Sequence, residues 1–151
     1  MGGANLMFGI IVGTHGKFAE GIVQSCEMIF GKREHLKAVT LVPGEGPEDV
    51  YSKYEAAIKE LCNPDRVLIL NDLLGGTPYN QAARLVSQNE NYGIVAGVNL
   101  PMLIAMSGAQ DADDGNTSIA ELMEQAVEAG KEGINLSSYE SLNTESEEDE
   151  L

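Results

Sequence analysis

Four short apolar runs rich in β-branched residues alternate with longer stretches of helical periodicity, and this alternation constrains the fold more than any other feature of the chain. Met7–Val12, Leu36–Val42, Arg66–Asn71 and Tyr92–Val98 read as strands, each ending near a Gly, Pro or Asn/Asp cluster. Between them, Phe18–Phe30, Pro47–Leu61 and Pro78–Gln88 carry apolar residues at three- and four-residue steps. Val50, Tyr54, Ala57, Ile58 and Leu61 form one such face. Pro47 and Pro78 suit a first helical turn, and Glu48 and Asp49 complement its positive dipole end. Strands that alternate with crossover helices build a parallel sheet covered on both faces. The expected class is therefore α/β, an open three-layer sandwich with a mainly parallel sheet, for which strand order 2-1-3-4 is taken.

The remainder of the chain reads less regularly. Pro101–Gly108 is expected as a short helix and Gln110–Asn116 as a polar loop. Ser118 and Glu121 have capping-box spacing for a last helix from Ile119 to about Ala129, closed by Gly130. Ile134–Tyr139 reads as a fifth strand of unresolved direction. Residues 140–151 hold six acids, no base and little to bury, and are expected to be a solvated or disordered tail. Residues 1–6 read as an N-terminal extension or a remnant of cloning, so that one domain spans 7–139.

Charge and cysteine usage exclude several function classes. Lys and Arg number 9 against 24 Asp and Glu, a formal charge of −15. A chain this acidic offers no basic surface to nucleic acid or to anionic lipid. Most of the excess follows Asn91, which leaves the first 90 residues close to neutral. Cys26 and Cys62 have no CxxC spacing, and the expectation is two free buried thiols in a reducing cytoplasm, with no metal site. No run approaches the length of a membrane span, and no signal-peptide pattern opens the chain.

In an open α/β sheet the functional crevice lies beyond the carboxyl ends of the strands, where strand order reverses. In a 2-1-3-4 sheet, strands one and three flank that point. The segments that follow them are Gly13-Thr14-His15-Gly16 and Asp72-Leu73-Leu74-Gly75-Gly76-Thr77-Pro78. Singly, each is an ordinary device: a lone loop histidine is commonly solvated, Asp72 could cap a turn, and Gly75-Gly76 could be only a tight turn. Together they have a chemical purpose. A carboxylate that accepts the Nδ1 proton of His15 fixes the tautomer, leaves Nε2 free as a nucleophile, and stabilises the cation formed on substitution. Glycine-loop amides and a hydroxyl before a helix suit a phosphoryl group. Neither a second acid or base for activating water nor a metal site accompanies them, so transfer between histidines fits better than hydrolysis.

Other candidates are weaker. His35 belongs at the opposite end of the sheet. Gly44-Glu45-Gly46 does not complete a dinucleotide fingerprint. The Asp111, Asp113, Asp114 cluster lacks the rest of a calcium loop and reads as solvated. Met102, Met106 and Met123 read as core filler.

The segments FGIIVGTHGKFAEG, LILNDLLGGTPYNQAARL, YGIVAGVNLPML and AVEAGKEGI, in that order, closely resemble the enzyme IIA component of the mannose family of the bacterial phosphoenolpyruvate-dependent sugar phosphotransferase system. The resemblance covers about Met7 to Tyr139. It implies that His15 accepts a phosphoryl group on Nε2 from the phosphocarrier HPr and passes it to a cognate IIB component, and through it to the membrane IIC/IID permease. It further implies that Asp72 orients the ring and that Thr77, with Thr14, Gly75 and Gly76, holds the phosphoryl group. Many relatives have Trp where Leu74 stands and Ser where Thr77 stands; Thr keeps the hydroxyl. The family fold implies a homodimer in which Ile134–Tyr139 is an antiparallel edge strand exchanged between subunits, and a cytoplasmic protein with no cofactor. Alternatives are a phosphoryl-donor domain for dihydroxyacetone kinase and a regulatory phosphohistidine module. A flavodoxin-like cofactor binder is disfavoured for want of stacking aromatics at the strand ends.

Overall fold

The computed structural model describes residues 7–149, with the side chains of 145–149 left aside. The elements run β1 (Gly9–His15), α1 (Phe18–Phe30), β2 (Leu36–Leu41), α2 (Pro47–Glu60), β3 (Val67–Asn71), α3 (Gly76–Val86), β4 (Tyr92–Ala96), α4 (Leu100–Asp111), α5 (Ile119–Glu132) and α6 (Tyr139–Asp149). The four strands form one wholly parallel sheet, as the alternation predicted, in the expected order β2-β1-β3-β4. The expected 1–6 extension lies outside the described residues.

Strand pleat divides the core into two layers. Phe8, Ile10 and Val12 of the β1 segment face the cluster made with α1, α4 and α5, together with Leu68 and Leu70 of β3. Ile11 and Ile69 face the other way, onto Val50, Tyr54, Ala57 and Ile58 of α2 and Ala82 of α3. β3 is buried along its whole length, as a central strand covered on both faces must be.

Several sequence expectations need correction. β1 extends to His15, which is the last residue of the strand and pairs with Leu41. The Gln110–Asn116 segment is not simply a polar loop: α4 runs to Asp111, and the Asp113 side chain is only 1% exposed. Asp113 pairs with Arg66 at 2.6 Å and accepts the Phe8 N–H at 2.9 Å, while Asp111 pairs with Arg33. These carboxylates bolt the end of α4 and the following turn to the amino-terminal edge of the sheet. Gly130 does not end α5, which continues to Glu132; its lack of a side chain admits Met102 and lets Asn99 Nδ2 donate to its carbonyl at 2.9 Å. Asn99 also caps α4, accepting from the Met102 N–H, so the Gly-Val-Asn-x-Pro-Met motif is a helix start and a helix clamp. Cys26 is buried, but Cys62 is exposed in a turn with φ of 64°.

The chain after α5 departs furthest from expectation. Residues 134–138 are neither strand nor helix, and Ile134 and Leu136 are 77% and 88% exposed. A strand needs an edge to pair with, and this segment meets none within its own chain. The supposed disordered tail is helical through Asp149; Ser138 and Ser141 cap it reciprocally through their hydroxyls and backbone N–H groups. The seryl box and the helix-favouring glutamates explain what the acid count concealed.

Candidate functional site

His15 ends β1 and Asp72 directly follows β3, its neighbour, at the carboxyl edge of the sheet where strand order reverses. The Asp72 carboxylate takes three hydrogen bonds. Oδ2 accepts from His15 Nδ1 at 2.9 Å and from the His15 backbone N–H at 3.0 Å, and Oδ1 accepts the Leu73 N–H at 3.0 Å. The ring is therefore held by the same carboxylate that holds its own backbone. Asp72 is 13% exposed at its side chain and His15 43%, so the orienting group is shielded while the imidazole faces out. With Nδ1 committed to Asp72, Nε2 is the free nitrogen.

Gly75 and Gly76 turn the chain from β3 into α3 with φ of 81° and 80°, a region that only glycine enters at little cost. A Cβ on Gly76 would lie 3.1 Å from His15 Cε1 and 3.2 Å from Nε2. The backbone at Gly76 thus lies against the reactive edge of the ring. Gly76 and Thr77 are the first two residues of α3, where N–H groups have no intrahelical acceptor and the helix dipole is positive. The arrangement presents an imidazole nitrogen, a carboxylate behind it, and an anion-favouring helix start beside it.

Thr14 does not join this group. It is fully buried on the opposite face of the sheet, and its hydroxyl accepts the Ala19 N–H at 2.7 Å in the first turn of α1. Strand alternation puts consecutive residues on opposite faces, so Thr14 and His15 cannot both face the crevice. His35 lies at the other end of the sheet, where its carbonyl accepts from Ile10 and Gln110. Sequence reading missed a buried group beneath the site: Tyr54 and Asn71, both wholly buried, bond to each other at 3.0 Å. Tyr54 had the spacing of a core residue, and nothing in its pattern marked the hydroxyl.

The family model described as "PTS system fructose IIA component" matches residues 9–127. The chain belongs to this family. That family is the mannose-type enzyme IIA components of the sugar phosphotransferase system, a class that carries phosphoryl groups in sugar transport. Among curated relatives, the "PTS system mannose-specific EIIAB component" of Escherichia coli is 42% identical over 125 residues, 83% of this chain. The chain spans only 38% of that relative's length. The "PTS system fructose-specific EIIA component" of Bacillus subtilis is 32% identical over 148 residues, covering 96% of this chain and all of the relative. The crystal structure of a phosphotransferase system component EIIA from Streptococcus agalactiae superposes with a TM-score of 0.75 at 29% identity, covering 86% of this chain and 97% of that one. No helix among the described residues is long and apolar enough to cross a membrane.

Proposed function

We propose that His15 is the phosphoryl acceptor of this IIA component, taking the group on Nε2 from phospho-HPr and donating it to a cognate IIB component. The observation that carries this reading is the 2.9 Å contact of His15 Nδ1 with Asp72, which leaves Nε2 outward beside the start of α3. In the transfer, the Nε2 lone pair attacks the phosphorus of the donor phosphohistidine. A new P–N bond forms as the donor's breaks, and the donor imidazole leaves with that electron pair. The product ring is cationic while Nδ1 keeps its proton, and Asp72 offsets that charge. The Gly76 and Thr77 amides and the Thr77 hydroxyl hold the phosphoryl oxygens. Transfer to the IIB component runs the same step in reverse.

The surroundings suit protein partners. Leu73 and Leu74, between Asp72 and the glycines, are 60% and 79% exposed, and Phe18, three residues after His15, is 49% exposed. Apolar side chains left in water around a reactive residue fit a protein surface. The test is direct. Incubation with phosphoenolpyruvate, enzyme I and HPr is expected to add one acid-labile phosphoryl group, and His15→Ala to take none while retaining the circular dichroism of the parent. Labelling that persists in His15→Ala would overturn the assignment.

The same reading extends to assembly. β4 is an edge strand whose outer side pairs with no other strand among the described residues, and a groove of about 730 Å³ beside it is lined by Ile94, Ala96, Met123 and Val127. Residues 134–138 carry exposed Ile134 and Leu136 and pair with no strand among the described residues. Exchange of that segment between two copies, as an antiparallel edge strand, covers the edge and the apolar side chains together.

A further inference from the structure

We infer that Tyr54 and Asn71 are positioning residues for phosphoryl transfer, holding in register the three chain segments that carry the reacting groups; this rests on the reading of His15 as the acceptor. Asn71 Nδ2 donates to the Gly13 carbonyl at 2.8 Å and to Tyr54 Oη at 3.0 Å. Tyr54 Oη in turn donates to the Pro78 carbonyl at 2.6 Å. The chain of donors therefore runs Asn71 to Tyr54 to Pro78, with a branch to Gly13. Gly13 stands two residues before His15, Asn71 precedes Asp72, and Pro78 follows Thr77. One buried network thus reaches the strand that presents the nucleophile, the strand that presents its carboxylate, and the helix start beside Nε2.

The direction of each bond is determined by its partners. The Gly13 and Pro78 carbonyls can only accept, so Asn71 must turn its amide nitrogen toward Gly13, and the phenol must donate to Pro78. Burial pushes the Tyr54 phenol far above its ordinary range, which keeps it protonated and a donor. Gly13 has no room for a side chain, because a Cβ there would overlap the Tyr54 hydroxyl. Asn71 leaves its own Oδ1 buried without a partner. An apolar residue would suit the otherwise apolar β3 better, since an unsatisfied buried acceptor is costly. A polar side chain kept at such a position, one residue from Asp72, fits a role in geometry more than in stability.

The test uses the full chain and steady-state transfer from phospho-HPr. Tyr54→Phe keeps the ring and removes only the hydroxyl. It is expected to lower kcat on the order of ten-fold with KM for phospho-HPr unchanged, since a fully buried side chain touches no partner. The ¹⁵N signals of the His15 ring, which report the share of the Nδ1–H tautomer, are expected to move with it. Asn71→Leu should act in the same direction, and the double variant should be no slower than the slower single one. Wild-type kcat and wild-type His15 signals in Tyr54→Phe would overturn the inference, as would a loss confined to KM or to thermal stability. A parent protein that takes no phosphoryl group would defeat the His15 reading as well. A parent that is phosphorylated normally beside an indifferent Tyr54→Phe would defeat positioning alone.

Discussion

Gly76 shows how narrow the tolerances at the site are. Its φ of 80° disfavours any other residue, and its Cα faces the Nε2 edge of His15 at a distance that leaves no slack for a methyl group. Gly76→Ala is expected to cost only about 1 kcal/mol of stability from the left-handed backbone. Its effect on transfer is expected to be far larger, on the order of a hundred-fold, because a methyl 3.1 Å from Cε1 and 3.2 Å from Nε2 displaces the ring from the position in which Asp72 holds it. Unfolding midpoints and transfer rates measured on one preparation separate the two effects; equal losses in both would show that the glycine serves the fold alone. The convergence of His15, Asp72 and the paired glycines was legible in the sequence because their two loops follow the strands that flank the point where strand order reverses. Thr14 was misjudged because adjacency in sequence is opposition across a pleated strand, and a one-dimensional motif does not display that.

At the scale of elements, the acidic turn after α4 is the instructive case. Burial pushes the Asp113 carboxyl up, but hydrogen bonds from Arg66, the Gly115 N–H and the Phe8 N–H outweigh it and hold the group below its ordinary value of 3.8. Asp111, bonded by Arg33, is likewise held low. With the folded value below the unfolded one, the unfolded chain binds more protons. The stabilisation is therefore complete above the ordinary carboxylate range and fades as pH falls through the lowered value. Asp113→Asn is expected to cost about 3 kcal/mol at neutral pH by leaving Arg66 with a lost charge partner. It should also flatten the decline in stability as pH falls below about 5. Denaturant titrations from neutral pH into that range check both, and parallel curves for parent and variant would remove Asp113 from the acid response. The sequence located α1 to the residue and the parallel direction of the four strands, since both follow from periodicity and connection rules, and the strand order taken with them matches the sheet. It misread Asp113 and Gly130 because their reasons are tertiary: a buried arginine and a methionine from another helix, each distant along the chain.

The whole molecule leaves two apolar surfaces unpartnered, the β4 edge and the segment after α5, and they have complementary needs. The protein is expected to scatter light as a dimer, twice the 16.1 kDa chain mass, at micromolar concentration. Leu136→Asp is expected to shift it toward monomer, because the exchanged segment would carry a charge into an apolar groove. A monomeric mass for the parent would contradict strand exchange. In the sequence, six of the 24 acids follow Tyr139, far along the chain from His15 and Asp72. The site itself is a surface feature, and its single open nitrogen has a kinetic consequence. If His15 relays the group as proposed, donor and acceptor must approach the same exposed edge of the same ring, so they exclude each other in time. Turnover then proceeds by alternation: one partner docks, transfers and leaves before the other arrives, and each competes with the other for the unoccupied face. An excess of either carrier slows the relay that it feeds or drains.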